Sequence, residues 1–410
     1  VNCRHCGTPL HPIDDVFVDL GAAPASNAFL RAADLERPEL HFPLKVLHCR
    51  VCLLVQVDEV QSHRALFAPD YVYFSSYSSS WLAHAERFVG EAVGRLGLGP
   101  RSLVVEVASN DGYLLQHVRA RGIPCVGIEP TAGTAAAARA RGVETLEAFF
   151  GRAFAASFAA QRGRADLIVG NNVLAHVPDI DDFVAGFAEA LAPSGRVSLE
   201  FPHLQRLVEH AQFDTVYHEH FSYLSLHAVA RILGAHGLAV RDVEELPTHG
   251  GSLRVWAGHA AEDAPTAPGV ARVLAGEREA GMLQPGFYRG LQARAERIKD
   301  DLLSFLIDAR RAGRRVAGYG AAAKGNTLLN FAGVRPDLLP FVADASPHKQ
   351  GRFLPGSRVP VVEVARLREA RPDYVLVLPW NLRDEIAAQL AWAREWGARF
   401  VTAVPALEVW

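Results

Sequence analysis

The chain has 410 residues, half of them apolar, and a formal net charge of −3. Its length exceeds one ordinary core, so two or three domains are expected. The charge is spread without a basic block, which argues against a nucleic-acid partner, and no run approaches the ~20 apolar residues of a membrane span.

The N-terminus shows no basic region followed by an apolar one, so no signal peptide is expected and the setting reads as cytoplasmic. Four of the five cysteines form two pairs of equal spacing, Cys3-Arg4-His5-Cys6 and Cys49-Arg50-Val51-Cys52. Two such loops let four thiolates converge on one tetrahedral ion, which predicts structural zinc on Cys3, Cys6, Cys49 and Cys52. All four positions are filled by protein, so the metal would hold the fold and not catalyse. A disulfide framework would need an oxidising compartment. The long gap between the pairs predicts strands at Phe17–Leu20 and Leu44–Leu47. Cys125, inside the apolar run 123–128, is expected in the core. A polar, aromatic crossing follows the zinc module, Asp70 to Trp81, rich in Tyr and Ser hydroxyls.

Leu82, Phe88, Val89, Ala92, Val93 and Leu96 recur at helical spacing, so Trp81 to Leu96 reads as an amphipathic helix. The strand Ser102–Val107 then runs through Ala108-Ser109-Asn110-Asp111-Gly112 into a helix opening at Tyr113. This is strand, tight loop, helix, the arrangement that binds ligands at the carboxyl edge of a doubly wound sheet. About twenty residues on, a second strand ends at Glu129-Pro130, where an acid can accept hydrogen bonds from a ribose diol. The loop lacks G-x-G-x-x-G spacing, so it favours an adenosine cofactor without phosphates, S-adenosylmethionine. The strand Ala165–Gly170 leads to Asn171-Asn172 and His176. A helix at 180–191, a turn at Ala192-Pro193-Ser194-Gly195 and a strand at 196–201 follow. This ordered series resembles the class I S-adenosylmethionine-dependent methyltransferases.

Beyond a short helical segment, 204–211, comes Asp214-Thr215-Val216-Tyr217-His218-Glu219-His220-Phe221. Four consecutive residues supply a phenol, a carboxylate and two imidazoles, groups that move protons near neutral pH. A helix at 225–233 and strands at 239–243 and 252–257 close the sheet, joined through Thr248-His249-Gly250-Gly251, whose glycines suit a tight turn. A Pro-containing linker, 260–268, precedes a long helical pattern that reaches Ile307. Then Arg314 to Thr327 is again strand, glycine loop, helix. Gly318, Gly320 and Lys324 make a better phosphate cradle than the first loop. Lys349 and Arg352 lie beyond the next strand, placed for a second phosphate.

The fold class is therefore α/β in three parts: an N-terminal zinc-binding module (1–75), a central Rossmann-like methyltransferase domain (76–262) and a C-terminal Rossmann-like domain (263–410). A Cys₄ module, a core carrying Tyr-x-Glu-His at 217–220 and a C-terminal Gly-Tyr-Gly-Ala-x-Ala-Lys at 318–324 together resemble the nucleotide-sugar C-methyltransferases of deoxysugar biosynthesis. The closest likeness is to the sugar C-3′-methyltransferases of antibiotic pathways. The resemblance implies a dTDP-linked 4-keto-6-deoxyhexose as substrate, methylated at the carbon beside its ketone. It places the catalytic base on His220, with Glu219, Tyr217, His176 and Tyr71 or Tyr73 in support. The methyl donor falls to Glu106, Ala108, Asn110, Gly112, Glu129, Pro130 and Asn172. The thymidine diphosphate falls to the C-terminal domain, through Tyr319, Ala321, Lys324, Asn326, Lys349 and Arg352. His218 receives no role. Methylation at C5, O- or N-methylation, and a non-enzymatic zinc adaptor are the competing readings, and a monomer is expected.

Overall fold

The computed structural model describes residues 1–58 and 74–410. Three sheets organise them. The first has four strands in the order β1 (Val16–Ala23), β2 (Phe42–His48), β3 (Val55–Val57) and β9 (Ser222–Tyr223), all antiparallel. Its last strand comes from the middle of the chain, directly after the Tyr-x-Glu-His stretch.

The second sheet has seven strands in the order β10-β11-β8-β7-β4-β5-β6. Here β4 is Val104–Val107, β5 Cys125–Ile128, β6 Thr145–Leu146, β7 Ala165–Asn171 and β8 Leu191–Pro202, all parallel. β10 (Leu238–Leu246) and β11 (Ser252–His259) form the closing antiparallel hairpin. The order reverses between β4 and β7, which opens the ligand crevice at their carboxyl ends. Helices α1 (Ser79–Leu96), α2 (Leu115–Arg119), α3 (Ala132–Ala140), α4 (Arg152–Arg162), α5 (Ile180–Ala190), α6 (Leu204–Glu209) and α7 (Leu226–Ala235) accompany it. Ser78 and Ser225 cap α1 and α7, accepting from Trp81 N and Ala228 N. Such caps are what fix these helix starts.

The third sheet runs β14-β13-β12-β15-β16-β17. β12 (Val316–Tyr319), β13 (Val342–Ala343), β14 (Val361–Val362), β15 (Tyr374–Val377) and β16 (Arg399–Thr402) are parallel, and β17 (Glu408–Val409) is antiparallel. Its helices include α8 (Pro268–Glu279), α9 (Leu291–Arg311) and α10 (Ala323–Ala332) in the connecting chain. α8 packs on β10 and α7 of the central sheet. Its Glu277 is fully buried and accepts from His203 Nε2 at 2.7 Å, His227 Nδ1 at 2.5 Å and the backbone N–H of Leu226.

The architecture is the expected α/β one, with one local difference. Residues 192–195 do turn, as a bulge inside β8: pairing with β7 passes from Ala165–Leu191 to Leu167–Arg196, and a Cβ on Gly195 would lie 2.8 Å from the Ala165 carbonyl. Cys125 is half-buried at the rim of the core and not inside it, because it opens β5 where the sheet edge meets α2. Among the described residues no helix is long and apolar enough to cross a membrane.

Candidate active site

The four sequence-paired cysteines meet. Their sulfur atoms all lie within 4.8 Å of one another, with Cys3–Cys52 at 3.4 Å and Cys6–Cys49 at 3.5 Å. Zn–S bonds of ~2.3 Å in a tetrahedron need sulfurs at about this separation, so the residues fit zinc. The knuckle is bonded outward: Arg4 donates to the carbonyls of Pro178 and Val57, at 2.7 and 2.5 Å.

The donor crevice lies above β4 and β5. Ala108, Asn110 and Gly112 all have positive φ, at 56°, 50° and 76°. Left-handed backbone at two non-glycine positions in one loop is strain of the kind that collects at ligand sites. Glu129, almost fully buried at the end of β5, accepts from the N–H of Asn110 at 2.9 Å and of Thr131 at 3.0 Å. Its remaining lone pairs suit a ribose diol. Pro130 follows, half-buried. Glu106 sits lower, inside β4, where burial pushes its carboxyl well above the ordinary range against a hydrogen bond from Tyr113. Gly112 serves packing: a Cβ there would touch Val143 and Ala138 at 3.2 and 3.3 Å. Across the crevice Asn172 is again left-handed, at φ 53°. The buried Asn171 amide, at both ends, and Asn172 Oδ1 have no hydrogen-bond partner among the described residues. Buried unsatisfied polar groups at a strand end beside the donor loop fit a bound polar ligand.

The Tyr-x-Glu-His stretch is gripped by all three sheets. The zinc module holds it through β9, through Phe221 O accepting from Val57 N at 3.1 Å, and through Asn27 Nδ2 donating to Glu219 Oε1 at 3.2 Å. His218 Nε2–H faces the carbonyls of Phe42 and Pro43, at 3.3 and 3.2 Å, so its ring anchors the loop. The C-terminal domain adds Thr327 Oγ1, donating to Val216 O at 2.8 Å. His176, after β7, donates from Nδ1 to Glu219 O at 2.8 Å, and its ring meets that of His220 edge-on at 4.6 Å.

These bonds settle the tautomer of His220. Its Nδ1 faces the Thr215 carbonyl at 3.0 Å, and a carbonyl only accepts, so Nδ1 carries the proton. Nε2 then holds the lone pair and accepts from Tyr217 Oη at 2.8 Å. Burial, with His176 beside it, holds His220 well below the ordinary imidazole range. The Glu219 carboxyl is pushed up by burial.

The C-terminal residues divide. Tyr319 is buried in the core of the third sheet with Leu367 and Val377. Asn326 is buried and donates to Ser26 O at 2.6 Å, joining α10 to the N-terminal module. At Ala321 the N–H donates to Asp344 Oδ2 at 2.7 Å and the carbonyl accepts from Lys349 Nζ at 2.8 Å. Arg352 is half-buried nearby in sequence, its carbonyl accepting from Val361 N. Lys324 turns the other way. Its Nζ donates to Asn381 Oδ1 at 2.7 Å and lies 4.5 Å from the Trp380 ring. Tyr71 and Tyr73 lie outside the described residues.

Several site residues carry no motif. Trp380 Nε1 donates to the fully buried Asp214 at 2.7 Å, joining the third sheet to the loop that carries His220. His249, at φ 54°, lies 3.3 Å from Asn172 Nδ2. The paired glycines beyond it do more than turn: a Cβ on Gly250 would lie 2.5 Å from Trp380. Glu200, buried at the end of β8, accepts from His84 at 2.9 Å, Thr248 at 3.0 Å and Arg254 at 3.0 Å. The one available signal was the density of polar residues next to strand ends.

Three family descriptions match in chain order: a zinc binding domain at residues 3–67, a methyltransferase domain at 81–243 and a C-methyltransferase C-terminal domain at 247–405. The C-methyltransferase NovU of Streptomyces niveus is 37% identical over 405 residues, covering 98% of this chain and 95% of its own. Among solved structures, the magnesium protoporphyrin IX methyltransferase of Synechocystis PCC 6803 with bound S-adenosylmethionine is 14% identical. It covers 49% of this chain and 99% of its own, with a TM-score of 0.36. The glycopeptide N-methyltransferase MtfA is 16% identical, covering 43% and 93%, with a TM-score of 0.34. Scores at that level carry no argument about this chain.

Proposed function

The chain belongs to the C-methyltransferase family, and on that premise we propose that it methylates C3 of a dTDP-linked 4-keto-6-deoxyhexose, with His220 as the base. It is an S-adenosylmethionine-dependent enzyme with a structural zinc site. The observation that carries the proposal is the state of His220, whose Nδ1 is tied to Thr215 O while Nε2 stands next to Tyr217 Oη. A neutral imidazole with a fixed lone pair is what proton removal from carbon requires.

Carbon is a poor nucleophile until a proton α to a ketone leaves. His220 Nε2 takes that proton, the C–H electron pair becomes a C=C bond, and charge moves to the ketone oxygen. Tyr217 exchanges partners in this step: its hydroxyl, which donates to Nε2 in the free enzyme, turns to that oxygen and leaves the Nε2 lone pair free. When bound, S-adenosylmethionine supplies the electrophilic methyl, and Glu129, Asn110 and Asn172 would hold it. Glu219 and His176 position the imidazole through the His176–Glu219 carbonyl contact. Nucleotide binding falls to the third sheet, where Lys349 and Arg352 follow the Ala343 strand end.

Mass spectrometry and NMR of products from a panel of dTDP-4-keto sugars with S-adenosylmethionine test the reading. A methyl group on C3 supports it. A methyl on C5, on oxygen or on nitrogen sinks it.

A further inference from the structure

We propose that Lys324 is the cation that holds the substrate's ketone oxygen as the α-proton leaves, and that Asp214, Trp380 and Asn381 position it for that task. The inference rests on the enolate reading above and gives Lys324 a role other than a phosphate anchor.

Four observations support it. The ammonium is enclosed, bonded to Asn381 Oδ1 at 2.7 Å and lying 4.5 Å from the Trp380 ring. Asp214 is fully buried, and Trp380 Nε1 holds its Oδ2 at 2.7 Å while Oδ1 has no hydrogen-bond partner among the described residues. An unpaired carboxylate oxygen beside the ammonium repels a diphosphate. Asp214 also precedes Thr215, whose carbonyl accepts from His220 Nδ1, so the partner of the cation and the anchor of the base are adjacent in the chain. Last, His249, whose proton affinity is lowered by burial and then by the Lys324 charge, lies 3.3 Å from Asn172 of the donor crevice, so the ammonium adjoins that crevice.

Tyr217 alone is a neutral donor, and it is shared with His220 Nε2. Burial lowers the proton affinity of Lys324 and the Asp214 carboxylate opposes that, and a protonated ammonium adds charge stabilisation where negative charge develops. The step balances. The α C–H bond breaks, its proton goes to His220 Nε2 and its electron pair forms the C=C bond. The carbonyl π pair moves onto oxygen opposite the Lys324 ammonium, which neither gains nor loses a proton.

The test is washout of deuterium from the α-carbon of a dTDP-4-keto-6-deoxyhexose without methyl donor, alongside calorimetric dTDP binding. Lys324→Met is expected to slow washout by about 100-fold or more and leave dTDP affinity unchanged, with Lys324→Arg recovering part of the rate. Asp214→Asn, which keeps the side-chain volume, is expected to slow washout without loss of dTDP binding, and it decides the matter if Lys324→Met does not fold. Loss of dTDP affinity in Lys324→Met with washout retained at saturating substrate overturns the inference in favour of a phosphate anchor. No washout from the wild-type enzyme, with dTDP still bound, overturns the enolate reading and this inference with it.

Discussion

As the proposed base, His220 must be neutral to work, and its surroundings favour that state. Burial and the adjoining His176 lower its proton affinity, and His176 and His249 are themselves held down to about 4 by burial. A base of lowered pKa is active above that value and loses activity as pH falls through it. The acid limb of kcat/KM is therefore expected below the ordinary histidine value of 6.5. A limb at or above that value would remove His220 from the role. His220→Asn should cost about 100- to 10,000-fold in turnover and leave S-adenosylmethionine binding intact, measured by calorimetry. Near-normal turnover in that variant would end the assignment. At the same scale, Glu129→Ala is expected to weaken donor affinity at least tenfold, by about 1.5–3 kcal/mol for a charged hydrogen-bonding group. Unchanged calorimetric affinity would remove Glu129 from the donor site.

Among the elements, α8 depends on one carboxylate. Burial raises Glu277, but the hydrogen bonds from His203 and His227 outweigh it and bring the group down to about 2. A carboxylate lowered on folding stabilises above its unfolded value of 4.5, and that contribution disappears as pH falls from there to about 2. Glu277→Ala leaves the buried His203 and half-buried His227 imidazoles and the N–H groups of Leu226 and His227 without an acceptor, so a loss of about 3–5 kcal/mol is expected in urea unfolding near pH 7. A loss below about 1 kcal/mol, the worth of an exposed pair, would contradict this account. Elements also show what sequence can convey. The two C-x-x-C loops, both strand–loop–helix units and the S-adenosylmethionine crevice were legible because each depends on local spacing or periodicity. β9 was not, since two residues carry no period, and its partner β3 is distant in the chain. Asp214, Lys324 and Trp380 come from three separate segments, and only the packing of the third sheet on the loop brings them together. The 192–195 turn was legible because Pro and Gly mark turns, and it stands as a bulge in β8 between Leu191 and Arg196.

For the whole molecule, zinc and catalysis are linked through backbone. The knuckle frames β2 and β3, β3 pairs with β9, and β9 follows His220 directly. Removing zinc with a strong chelator is expected to lower the thermal midpoint and to abolish turnover, with both restored by one equivalent of zinc. Full activity in zinc-free protein would show that the knuckle and the base are uncoupled. The same pairing sets the order of events on the ribosome. β1, β2 and β3 emerge early, yet the strand that completes their sheet is synthesised only after most of the central domain. Until then β3 presents an open edge, the kind of template on which nascent chains join one another. The N-terminal sheet can close only once the segment bearing His220 has itself been made, so the loop proposed to remove the proton is also the stitch that finishes the protein's first sheet.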